Sequence, residues 1–132
     1  MKYLLDTNII IYIIKQKPKN VLEKFSHLNI SDVAISAISV AELFYGVNKS
    51  SSKEKNMQAL QEFLLPLEII VFNEDDAFVY GMLRSDLEKN GNLIGSMDML
   101  IASQSLAKDL ILVSNNTKEF GRIKNLKLEN WV

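Results

Sequence analysis

The residues best placed to do chemistry in this chain are acids far apart in sequence, Asp6, Glu42, Asp98 and Glu119, with Asn116 close to the last. Asp6 stands in Leu4-Leu5-Asp6-Thr7-Asn8, where a short apolar run ends on a carboxylate. Glu42 is flanked by Val40, Ala41, Leu43 and Phe44, and Asp98 by Met97, Met99, Leu100 and Ile101. An acid among apolar neighbours is either the exposed position of an amphipathic helix or a carboxylate turned inward. An inward carboxylate needs a partner such as a metal. Taken singly, Asp6 also reads as a strand end followed by a helix cap. Taken together, the acids point to a metal-binding cluster. Oxygen ligands without His or Cys select a hard cation, Mg²⁺ first and Mn²⁺ as the alternative. Mg²⁺ keeps several waters and completes its shell with phosphate oxygens. Such a site suits phosphodiester cleavage, because the ion acidifies a bound water and neutralises charge building on the phosphate.

Composition narrows the choice. With 132 residues, 48% of them hydrophobic, the chain can bury one respectable core, and a single domain over 1–132 is expected. The absence of cysteine excludes disulfides, thiolate metal sites and a Cys nucleophile. A Ser-His-Asp hydrolase would have to use His27, the only histidine, whose setting in Phe25-Ser26-His27-Leu28 reads as a solvated helix end. A net charge of −1 gives no global basic field, so nucleic-acid binding needs a local patch. Lys118, Arg122, Lys124 and Lys127 form one candidate and Lys15, Lys17 and Lys19 another; the alternative is ordinary solvated faces. Tyr12, Phe44 and Tyr45 read as core or interface residues rather than base-stacking platforms. Met1-Lys2-Tyr3 leads straight into a strand with no small-residue cleavage site after it. The apolar run 4–14 is broken by Asp6, Thr7 and Asn8 and falls short of the ~20 residues a membrane span needs. A soluble, cytoplasmic protein with no membrane partner is the expectation.

The acids must be positioned by alternating strands and helices. The pattern predicts strands at about 2–5, 33–36, 68–72 and 110–113, with 126–128 as an edge strand. Helices are predicted from Asn8, over 18–28, from Ser39 past Gly46, up to Pro66, from Asn73 to Lys89, and from Met97 to Ala107; a short helical segment holds Glu119 and Phe120. The first helix carries Ile9, Ile10, Ile11, Ile13 and Ile14 and should be well buried. Asn73-Glu74-Asp75-Asp76 resembles a metal site but reads better as a capped helix start with acids facing the dipole. Alternation of this kind implies an α/β fold with a parallel sheet of four to five strands covered on both faces. In such a sheet Asp6, Glu42, Asp98, Asn116 and Glu119 all border the crevice at the strands' carboxyl edge.

With these segments in place, the whole chain resembles the PIN-domain ribonucleases, and within them the VapC-type toxins of bacterial toxin–antitoxin pairs. The resemblance rests on Leu4-Leu5-Asp6-Thr7-Asn8, Ser39-Val40-Ala41-Glu42-Leu43, the stretch 94–102 around Asp98, and Val113-Ser114-Asn115-Asn116-Thr117-Lys118-Glu119-Phe120, closed by Glu129-Asn130-Trp131. It implies a three-layer α/β/α fold and a Mg²⁺-dependent endoribonuclease. By the resemblance Asp6 and Asp98 are the metal ligands, Glu42 is the third catalytic acid, and Thr7 and Ser114 support the pocket. The family's fourth acidic position falls on Asn116, which cannot act as an anionic ligand or base; Glu119 nearby could supply the charge. The resemblance further implies RNA substrates, tRNA anticodon loops among them, an arrest of translation, and a homodimer. It also implies a VapB-type antitoxin that offers a basic side chain to the acidic pocket, with DNA reached only through that antitoxin. A haloacid-dehalogenase-like phosphatase would want a second acid where Asn8 stands. A receiver domain would want a phosphoacceptor Asp where Phe72-Asn73-Glu74 offers none in register. The remaining alternative is a PIN-like RNA- or protein-binding module without catalysis.

Overall fold

The computed structural model describes residues 1–132. Its strands are β1 (Tyr3–Leu5), β2 (Val33–Ser36), β3 (Glu68–Ile70), β4 (Ile111–Val113) and β5 (Leu128–Glu129). Its helices are α1 (Thr7–Lys15), α2 (Lys19–Ser26), α3 (Ala37–Asn48), α4 (Lys53–Leu64), α5 (Glu74–Lys89), α6 (Ser96–Ala107) and α7 (Thr117–Phe120). The five strands form one parallel sheet in the order β3-β2-β1-β4-β5. The chain winds outward from β1 to β3 and then returns to lay β4 against the other side of β1. The strand order therefore reverses between β1 and β4, and an open α/β sheet gathers its ligands at the carboxyl ends of the strands there.

Side chains alternate across the strands, and both faces are buried. Leu5, Ile35 and Val113 join the core beneath α1 to α4, whereas Leu4, Ala34 and Leu112 join a second core beneath α5 and α6. The result is the expected α/β/α sandwich. No helix is long and apolar enough to cross a membrane.

The first helix is less buried than its composition predicts. Ile9, Ile10 and Ile13 are enclosed, but Ile11, Tyr12 and Ile14 stay half-exposed. A helix with five isoleucines and a tyrosine over residues 9–14 has no polar stripe there to mark its outer face, so the sequence could not show which residues turn away from the sheet. Together with Leu43, Val47, Ala59 and Leu60, Ile11 and Ile14 line an apolar groove between α1, α3 and α4.

Several boundaries move for local hydrogen-bonding reasons. Helix α1 begins at Thr7 because Asp6 is its N-cap, its Oδ1 accepting from the Thr7 amide at 2.9 Å. Helix α3 begins at Ala37, where Ser36 Oγ accepts from the Ile38 amide at 3.1 Å. Strand β3 stops at Ile70, and the carbonyl of Val71 accepts a side-chain hydrogen bond instead. The last strand lies at Leu128–Glu129 rather than 126–128, fixed by its pairing with Leu112 and Val113.

The acidic run that opens α5 is a capped helix start, as its spacing suggested. Asn73 and Asp76 form a reciprocal capping box, with Asn73 N donating to Asp76 Oδ2 and Asp76 N to Asn73 Oδ1. Asp76 is fully enclosed, and its carboxylate accepts two hydrogen bonds from Lys108 Nζ at 2.9 and 3.1 Å. This ion pair ties the start of α5 to the end of α6, while Asp75 points into solvent. At the far end of α5, Gly91 takes a left-handed conformation (φ 67°) that only glycine adopts without strain. His27 is exposed, as expected.

Candidate active site

Four segments deliver the polar residues to the switch point. Asp6 leaves the end of β1, and its backbone amide still donates to Val113 O at 2.9 Å, so the carboxylate is anchored to both central strands. Ser114, the residue after β4, donates its hydroxyl to Asp6 Oδ2 at 2.8 Å. With the Thr7 amide on Oδ1, both Asp6 oxygens are held although the residue is 95% enclosed (5% exposed). Asp6 is thus a strand end, a helix cap and a pocket carboxylate together, which dissolves the choice the sequence posed.

Glu42 projects from α3 toward α1, where Thr7 Oγ1 donates to its Oε1 at 2.8 Å. Asp98 lies half-buried in the first turn of α6, whose N-cap Gly95 supplies no side chain to compete for the helix end. Asn116, between β4 and α7, donates its side-chain amide to Asp98 Oδ2 at 3.3 Å and to Glu119 Oε2 at 2.7 Å. The residue at the fourth position therefore acts as a donor that bridges two carboxylates and brings Glu119 to the edge of the pocket. Its backbone amide donates to Ser114 Oγ at 3.0 Å, closing the chain of contacts back to Asp6.

The electrostatics are those of carboxylates without a cationic side chain beside them. None of the four ion pairs in the protein includes Asp6, Glu42 or Asp98. Burial pushes the Asp6 carboxyl upward, opposed by its hydrogen bonds from Ser114 and the Thr7 amide, with the Glu42 charge adding to the rise. Burial also raises Asp98, reinforced by the neighbouring Glu119 carboxyl as a hydrogen-bonding partner and by the charges of Asp6, Glu119 and Glu42, to about 7. Glu119 moves the other way, held low by the Asn116 amide and by its contact with Asp98, with Arg122 and Lys118 contributing.

An acidic, all-oxygen donor set without an internal counterion fits a hard divalent cation. No three acidic or histidine side chains close a shell by themselves, so an ion here would have to complete its coordination with water or phosphate oxygens. Ser39 supplies a further polar atom. It is fully enclosed on α3 one turn before Glu42, and its hydroxyl has no protein partner. A Ser three residues before the acid on a helix was the available signal, but the sequence alone made it only a helix start. Tyr12 reads from the sequence as a core or interface residue, and it is half-buried, but its hydroxyl also accepts from Asn115 Nδ2 at 3.0 Å and pins the 114–116 loop to α1.

These raised values have a consequence for stability. A carboxyl that holds its proton more tightly folded than unfolded contributes stability that is complete below its unfolded value of 3.8 and is lost as the pH climbs through about 7. In EDTA the melting temperature should therefore rise as the pH falls from 8 toward 6, insofar as this pocket dominates. Mg²⁺ should raise it more at pH 8 than at pH 6, because protons and the ion compete for one pocket. Calorimetry at both pH values, with and without Mg²⁺, checks this; a Mg²⁺ effect that grows on acidification would refute it.

Comparison with known proteins agrees with the geometry. The PIN domain family model matches residues 3–126. The chain is 51% identical over 134 aligned positions to Ribonuclease VapC2 of Rickettsia felis, covering 99% of this chain and 98% of that protein. It is 37% identical over 131 positions to the tRNA(fMet)-specific endonuclease VapC of Salmonella typhimurium, covering 99% and 98%. Among solved structures, VapBC2 from Rickettsia felis bound to a DNA fragment from their promoter superposes with a TM-score of 0.92 at 47% identity over the full length of both chains. A sheet that reverses between β1 and β4, a carboxylate pocket at that reversal and matches along the whole chain lead to one assignment: the chain belongs to the PIN domain family, in its VapC branch.

Proposed function

We propose that this chain is a divalent-metal-dependent endoribonuclease, the toxin of a toxin–antitoxin pair, with Asp6 and Asp98 as metal ligands. The observation that carries the reading is the group of Asp6, Glu42 and Asp98, within electrostatic reach of one another at the sheet's switch point and without an ion-pair partner. Mg²⁺, or Mn²⁺ in its place, would supply a more acidic water and stabilise charge on the scissile phosphate. Ser114 and the Thr7 amide fix the orientation of Asp6, and Thr7 Oγ1 holds Glu42 where it can accept a proton from an attacking water. Asn116 orients Asp98 and keeps Glu119 ionised at the rim, where Lys118 and Arg122 are near enough to meet RNA phosphates.

The substrate class is RNA, and the name of the Salmonella relative favours a tRNA, cut in its anticodon loop so that translation stops. The solved Rickettsia assembly, VapBC2 on a DNA fragment from its promoter, favours a VapB-type antitoxin as the restraining partner, and DNA would be reached through that antitoxin. The groove lined by Ile11, Ile14, Leu43 and Val47 shares α1 and α3 with the pocket, so one segment lying in it could carry a basic side chain to the acids. A homodimer completes the reading. Tyr45 on α3 and Phe78 and Met82 on α5 stay largely exposed and offer apolar contact area. A binding module without catalysis has no use for three carboxylates held against their own repulsion.

The test is cleavage of total cellular RNA by the purified protein with Mg²⁺, with EDTA, and with Asp6→Asn. Discrete fragments that need the metal and vanish in the variant support the reading, and mapping their ends identifies the RNA. Equal cleavage by parent and variant would sink it.

A further inference from the structure

Behind the pocket, a buried polar junction joins the two helices that carry Glu42 and Asp98. Gln104 on α6 is fully enclosed among apolar residues. Its Oε1 accepts from the hydroxyl of Ser36, the residue that caps α3, and its Nε2 donates to Val71 O at 3.1 Å, just beyond β3. Ser36 Oγ in turn accepts from the Ile38 amide at 3.1 Å. One side chain therefore fastens α6 to the carboxyl ends of two neighbouring strands and to the first turn of α3. Helices α3 and α6 also pack directly against each other. Glu42 stands six residues beyond Ser36 on α3, and Asp98 six residues before Gln104 on α6. Each carboxylate is thus about 9 Å of helix from the junction. They are the tips of two arms of equal length, so the junction governs how far apart they sit.

We propose that Gln104 is a positioning residue of the active site, which through Ser36 and Val71 sets the spacing of Glu42 and Asp98 for the metal; this rests on the metal-site reading above. A buried amide with both ends satisfied suits the task. Its bonds have fixed direction, and an aliphatic side chain would leave the Val71 carbonyl unpaired. Outer groups that orient metal ligands contribute about 10–100-fold to metal affinity or activity.

The experiment measures Mn²⁺ binding by electron paramagnetic resonance in the metal-free full chain, and steady-state RNA cleavage, for the parent, Gln104→Met, Ser36→Ala and Ser105→Ala. Ser105 is equally buried on α6, but its hydroxyl donates to Leu110 O, away from the junction, so it serves as the control for simple loss of stability. Gln104→Met and Ser36→Ala should each weaken Mn²⁺ binding about tenfold and lower kcat by a similar factor, with KM for RNA unchanged. Ser105→Ala should lower the melting temperature with Mn²⁺ affinity intact. If Gln104→Met does not fold, Ser36→Ala alone decides. Parent-like Mn²⁺ affinity in the junction variants, or an equal loss in Ser105→Ala, overturns the proposal. A parent that binds no Mn²⁺ overturns the metal-site reading as well.

Discussion

Asp98→Asn should lower RNA cleavage roughly a thousandfold and, in the same protein, raise the melting temperature measured in EDTA. Both effects come from one charge. Asp98 is half-buried beside Asp6, Glu42 and Glu119, and burial together with those neighbours raises its carboxyl to about 7. Near neutral pH, folding the metal-free protein must therefore hold a partly ionised group against like charges or take up a proton. Asparagine is nearly the same size and carries no charge, so the substitution relieves the repulsion and can still accept from the Asn116 amide. It also removes an anionic ligand. Electrostatic stabilisation at such centres amounts to several kcal/mol, and each 1.36 kcal/mol is tenfold in rate, which yields a loss on the order of a thousandfold. The stabilisation by Mg²⁺ seen in the parent should shrink in the variant. Calorimetry in EDTA and in Mg²⁺, beside single-turnover cleavage, reads all three effects. A variant that melts lower than the parent in EDTA would mean that the carboxylates are not in conflict, and one that cuts normally would remove Asp98 from the reaction.

The largest loss of stability is expected at an acid outside the pocket. Asp76→Ala removes half of the capping box of α5 and leaves Lys108 without its partner across the α5–α6 contact. Losing a helix cap costs about 1 kcal/mol, and breaking a buried pair from one side about 3–5 kcal/mol. Lys108 is 22% exposed and can turn partly to water, which places the total at about 3 kcal/mol. That is a large share of the roughly 5–15 kcal/mol available to a domain. Asp75→Ala, one residue away on the exposed side, should stay within about 0.5 kcal/mol. Urea unfolding of the two variants decides the matter; equal midpoints would show that the buried pair contributes nothing. The fraction of Asp76→Ala that remains folded should still cleave RNA.

How far the sequence discloses this molecule varies by element. Strands β1, β2 and β4 are short runs of large apolar residues ending in turn or polar residues, so their place and their parallel arrangement followed from pattern alone. The acids followed because strand ends and helix starts are where an open sheet gathers its ligands. What the sequence withheld was mostly relational. Asn116 could be judged unfit as an anionic ligand, but its work as a donor between Asp98 and Glu119 depends on two side chains meeting. Gln104 gave no sign at all, since Ala102-Ser103-Gln104-Ser105-Leu106 has no clear polar face and a buried glutamine is visible only once its partners are placed. Ile11 and Ile14 were assigned to the core by composition, and only the arrangement of α1, α3 and α4 turned them toward a groove.

The central place of β1 also bears on when a growing chain can assemble its acidic pocket. β1 is made first, yet one of its two neighbours in the sheet, β4, begins more than a hundred residues later at Ile111. Ser114, Asn116 and Glu119 arrive later still. Pairing across such a separation is slow to nucleate, and here it cannot begin before Ile111–Val113 exists. A chain made only as far as α6 carries Asp6, Glu42 and Asp98 but has neither β4 nor the Ser114 and Asn116 contacts that complete their setting. The acidic pocket is therefore assembled only after every strand but β5 has been made, and no shorter stretch of the chain holds it.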